Sequence, residues 1–144
     1  MTLCPRGLYV AALLSFACLA LTGAQLAAPD FKSEHDPVKR AEKALALADE
    51  SFENARDLYK KDEIQKGDAQ LERMTAALDE CVSSLNSVHK NRVYKKAEMH
   101  VSHLQRRLQG LMDEIAVTQR GWAEQTQRKL EEIHDKLLEG AMRK

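Results

Sequence analysis

Apolar residues recur along most of this chain at alternating steps of three and four. From Val38 they run through Ala41, Leu45, Ala48, Phe52, Ala55 and Tyr59, with charged residues filling the intervals. That spacing lays one apolar stripe along one face of an α-helix. Its start carries a cap: the Asp36 carboxylate can accept from a free amide of the first turn, and Pro37 suits the first helical position, where its missing N–H has no role. After Lys60-Lys61-Asp62 a second stripe begins: Ile64, Gly67, Leu71, Met74, Leu78, Cys81, Leu85 and Val88. Asp62 and Gln65 have the spacing of a capping box. Gly67 falls on this stripe and predicts close contact between helices; the rival reading ends the first helix there. A third stripe is Val93, Ala97, Val101, Leu104, Leu108, Leu111 and Ile115, and a fourth runs from Trp122 or Ala123 through Thr126, Leu130, Ile133, Leu137 and Ala141.

Two breaks separate these stripes. Asn86, Ser87 and Asn91 are weak helix formers with charge crowded after them, which predicts a turn near Ser87 to Arg92. Val117 to Gly121 is the second break. Without it the last two stripes would form one rod of about 75 Å at 1.5 Å per residue, too long for two shorter partners to cover. Short connections between amphipathic helices predict an all-α fold: an up-down helical bundle of three to four helices over residues 37–144.

The chain's beginning has a different pattern. Arg6 is the only charge before an apolar run from Leu8 to Ala24, and small residues stand at Thr22 and Ala24. These are the parts of a secretory signal, so residues 1–24 are read as a signal peptide cut after Ala24. A lipoprotein reading fits poorly because Phe16 lies two before Cys18. An uncleaved membrane anchor is the other reading, although the strongly apolar part is shorter than the roughly 20 residues that span a bilayer. Residues 25–36 lack periodicity, contain Pro29 and read as a flexible tether. Export places the protein in a periplasmic or extracellular setting. Cys4 and Cys18 fall in the signal, which leaves Cys81 alone, so stability must come from an apolar core instead of an internal disulfide.

Charge narrows the function classes. The chain carries 22 basic and 22 acidic residues. That balance argues against a dedicated nucleic-acid binder, which has a basic excess. Within the balance there is one concentration: Lys90, Arg92, Lys95, Lys96, Arg106 and Arg107, opposed in that stretch only by Glu98. This basic corner is a candidate anion-binding patch. Base stacking would want more aromatic residues than Tyr94 alone.

Other candidate chemistry is sparse. Glu131-Glu132-Ile133-His134 has the Glu-x-x-His spacing of di-iron bundle proteins, but it occurs once and the inward positions beside it are Leu130 and Ile133. His100 and His103 are three apart on one helix and lack further ligands; His35 and His89 add no useful spacing. Cys81 sits on an apolar stripe, as a buried structural thiol does. No catalytic residue, metal or cofactor is therefore expected.

Two resemblances add shape without activity. LYKKDEIQKGDAQLERMTAAL, from Leu58 to Leu78, resembles one hairpin of a tetratricopeptide repeat, with Tyr59 near the end of its first helix and Gly67 and Leu71 at the small and large positions of its second. No second copy follows at that repeat's period of about 34 residues. The export signal, this hairpin, the basic KKAEMHVSHLQRRL segment and the closing LEEIHDKLLEGAMRK together resemble small exported helical proteins of uncharacterised families in soil bacteria such as acidobacteria. The expectation is an exported non-enzymatic bundle acting through contact with a protein partner or with itself. The alternative is an envelope or polyanion surface binder that uses residues 90–107. Contact with a membrane is expected only if the N-terminal segment stays attached.

Overall fold

The structure, a computed structural model, describes residues 33–143. The signal peptide and most of the tether lie outside the described residues. Four α-helices follow in order: α1 Pro37–Lys60, α2 Ile64–Leu85, α3 Asn91–Glu114 and α4 Gly121–Met142. The all-α bundle expected from the stripes is the fold, with the full complement of four helices among the described residues.

Helix α1 starts as its sequence predicts. Asp36 Oδ1 accepts from Val38 N at 2.9 Å, with Pro37 at the first position. The last tether residues are hooked back onto this turn, where Arg40 donates through Nε and Nη2 to the Glu34 carbonyl and Lys43 Nζ lies 2.8 Å from the Glu34 carboxylate. The Lys43 ammonium, followed by the hydrogen bond that Asp36 N donates, holds the Glu34 carboxyl below its ordinary titration range. The expected capping box of α2 does not form. Glu63 caps the helix without a side-chain hydrogen bond, while Asp62 adopts φ of 59° in the turn. Aspartate tolerates the left-handed region better than most residues. Its Oδ1 accepts instead from Gln119 Nε2 at 3.0 Å, linking the α1–α2 turn to the α3–α4 turn.

The helices form two antiparallel hairpins. In the first, the Tyr59 ring packs on Gly67, whose added Cβ would lie 3.0 Å from the ring; Gly67 is inside α2, so the close-contact reading holds. The Tyr59 hydroxyl donates to Asp68, and burial together with that carboxylate raises its titration range. In the second hairpin the Tyr94 ring lies against Gly140 so closely that any Cβ there would collide with it. The Tyr94 hydroxyl donates to the Leu85 carbonyl at 2.5 Å, tying the start of α3 to the end of α2. This bond, with Val88 buried beneath the link, makes the segment after Leu85 a fixed corner.

The hairpins stack with like helices side by side. Helix α1 lies beside α3, and the pairs Glu42–Lys96, Asp49–His100, Glu53–Arg107 and Arg56–Glu114 climb both sequences together, so the two run parallel. Helix α2 lies beside α4, also parallel, with Glu72 and Thr75 near Trp122, Asp79 near Lys129, and Asn86 near Arg143. Around the bundle the order is thus α1, α2, α4, α3. Phe52, Leu71, Met74, Leu78, Leu85, Leu104, Leu108, Leu130, Ile133 and Leu137 fill the centre. The stripes omitted several core members, among them Ala44, Leu47, Tyr94 and Met112, which are buried beside their helices' main stripes.

Candidate functional site

The basic corner divides in two. Lys96 and Arg107 point towards α1. Lys96 Nζ lies 2.9 Å from Glu42, and Arg107 donates to Asp49 at 3.0 Å and to Glu53. The Arg107 guanidinium also sits over the Phe52 ring, 4.6 Å from its centre. An arginine so placed covers an apolar edge with its stem and plane while its nitrogens meet carboxylates. His100 completes this row, 3.0 Å from Asp49 Oδ2 though not aligned as a hydrogen bond. These groups therefore clamp the two hairpins together along α1 and α3.

The other four members face solvent. Lys90 caps α3, while Arg92, Lys95 and Arg106 are exposed on its outer side and make no ion pair among the described residues. Together with Met99 and His103 they are spaced by steps of three and four, Arg92-Lys95-Met99-His103-Arg106, which is a second stripe on α3 opposite its core face. Met99 is 61% exposed in the middle of it.

Helix α4 carries a matching outer stripe that the sequence reading passed over. Glu124, Arg128, Glu131, Asp135, Leu138 and Met142 are spaced by the same steps, and all are exposed. Leu138 is 40% and Met142 65% exposed. Three carboxylates and one arginine give this stripe an acidic character. Its period was visible in the sequence, but charged residues at helical spacing read as ordinary solvated surface until the neighbouring helix is known.

The remaining candidates lie apart from one another. His134 is on the flank, its Nε2 2.8 Å from Glu98 Oε1 across the α3–α4 pair and its Nδ1 3.7 Å from Asp135. His103 is exposed and does not join His100 at a shared position. Among the described residues no three histidine, cysteine or carboxylate groups converge as metal ligands. Cys81 is 1% exposed in the core, and burial, with a smaller contribution from Glu80, pushes its thiol up to about 12. Such a thiol stays protonated and unreactive at neutral pH. An open groove of ≈390 Å³ runs between α2 and α4, lined by Glu72, Thr75, Trp122, Gln125, Lys129 and Glu132. Among the described residues no helix is long and apolar enough to cross a membrane.

With this geometry in view, comparison with known proteins brings no precedent: no family model matches the chain, and neither a curated protein nor a solved structure does.

Proposed function

We propose that this protein is an exported, non-enzymatic bundle that works through protein–protein contact, including contact with itself. The observation that carries the reading is the outer surface of α3 and α4, where exposed Met99, Leu138 and Met142 are set among charged residues in regular stripes. Isolated exposed apolar residues are ordinary, but these lie on one surface whose two helices carry opposite charge, which suits a partner of complementary charge. Light scattering behind size exclusion, together with cross-linking in native envelope extract, tests this. A chain that is monomeric and joins no other protein in the extract overturns it. The export half of the reading predicts a purified protein beginning at Gln25 in the extracytoplasmic fraction, and an intact Met1 terminus in the cytoplasm overturns that half.

A second reading rests on Lys90, Arg92, Lys95 and Arg106, exposed and without ion pairs among the described residues. On it the protein holds an anionic envelope surface or a polyanion by screened attraction. It predicts sedimentation with anionic vesicles that fades as salt rises and disappears when Lys95 and Arg106 become glutamate.

A further inference from the structure

We infer that the partner of the α3–α4 surface is a second copy of this chain, related by a twofold axis that runs along the helices and sets α3 of each copy over α4 of the other. The inference rests on the contact reading above and names the contact. It begins with the opposed character of two stripes on one surface. Arg92, Lys95 and Arg106 make the α3 stripe basic up to the exposed Asp113 two steps beyond Arg106, and Glu124, Glu131 and Asp135 make the α4 stripe acidic.

The antiparallel pairing within the hairpin fixes their register. Tyr94 is level with Gly140, and Glu98 with His134. A twofold axis along the helices keeps those levels and exchanges the two helices. Lys95 of one copy then comes to the level of Leu138, between Asp135 and Met142 of the other. Arg106 comes to the level of Arg128, between Glu124 and Glu131, and Met99 to the level of Asp135, one turn from Leu138. Every such contact occurs twice, as an isologous interface requires. Arg128 is the one like-charged residue on the acidic stripe, and it falls near Arg106. The alternative twofold axis, across the helices, would lay α3 on α3 and α4 on α4, setting cation against cation and carboxylate against carboxylate. Like-charge juxtaposition rejects that arrangement, so the stripes select both a partner and an orientation. The α1 carboxylates Glu42, Asp49 and Glu53 are already occupied by α3 of their own chain.

The test uses two variants of exposed residues, so that folding is preserved and can be checked by helicity. One is Lys95→Glu with Arg106→Glu, the other Glu131→Lys with Asp135→Lys. Sedimentation velocity on the purified protein, in reductant, is expected to show a dimer at low salt whose dissociation constant rises at least about tenfold as the Debye length falls from roughly 30 to 8 Å. Each variant alone is expected to be monomeric, because each makes both stripes alike in sign. An equimolar mixture of the two is expected to regain the dimer, since each copy then offers what the other lacks. A wild-type monomer at every concentration overturns the inference, and a monomer that sediments with phosphatidylglycerol vesicles assigns the basic stripe to a lipid surface. A dimer that survives both reversals overturns this surface while leaving the contact reading intact. So does a mixture that stays monomeric, or a dimer that reductant abolishes.

Discussion

The two parallel seams of this bundle solve the same problem by different chemistry. Along α1 and α3 the hairpins are joined by long charged side chains, with Lys96, His100 and Arg107 reaching Glu42, Asp49 and Glu53 over the edge of Phe52. Along α2 and α4 the helices approach more closely over Ala123, Thr126 and the leucines of α2, and among the described residues the one ion pair crossing between them is Lys129 with Asp79, at 3.5 Å. Apolar contact yields stability in proportion to the area it removes from water, whereas exposed ion pairs yield little and depend on salt. The apolar seam should therefore hold the fold, while the charged seam sets how the hairpins line up and seals the edge of the core.

The sharpest way to break the contrast is through the apolar side. Leu78→Ala should lower unfolding free energy by about 2–5 kcal/mol, as removal of a fully buried leucine does, read from urea denaturation. Gly140→Ala, which acts on the apolar contact inside the α3–α4 hairpin and not on the seam itself, comes next, with an expected loss of about 1–3 kcal/mol because the new methyl must displace the Tyr94 ring. A double-mutant cycle with Tyr94→Leu should recover part of that loss, and a cycle without coupling would show that the two residues do not restrain each other. Alkaline pH attacks the same half. The Cys81 thiol titrates near 12 in the folded chain against an ordinary value of 9.0, so the folded state keeps a proton that the unfolded chain releases. That contribution is complete below about pH 9 and is lost as pH rises towards about 12. Cys81→Ala should flatten this decline in a pH series of thermal melts.

The charged seam should respond less. Arg107→Ala is expected to cost about 1–2 kcal/mol, the sum of a cation–π contact and its carboxylate partners. Raising salt should shrink the ionic part and leave the stacking part. Lys96→Ala, at the exposed end of the seam, should change stability by no more than about 0.5 kcal/mol. An effect of Lys96→Ala as large as that of Leu78→Ala would reverse the assignment of roles.

These seams also show how far the residues could be read in order. Helix existence and type were legible because an apolar residue every three or four positions has one economical use, a buried helix face. The Asp36-Pro37 start was legible for a local reason as well, since both residues act on the turn that follows them. Asp62 was misread for the complementary reason. Its spacing to Gln65 suits a local cap, yet a partner 57 positions away, Gln119, takes its carboxylate. Tyr94 was read as a lone aromatic in a basic corner and proved to be a core residue seated on Gly140 and bonded to Leu85.

The basic corner marks the division most clearly. Local patterning determined by itself that α3 is a helix with a buried face and an excess of positive charge. Which of those charges are spent inside the molecule was decided by stacking α3 against α1, because Coulomb partners are chosen by distance in space and not along the chain. Lys96 and Arg107 differ from Lys95 and Arg106 by a single position each, and the 100° turn that one residue makes around a helix is what sends one pair to the clamp and the other to solvent.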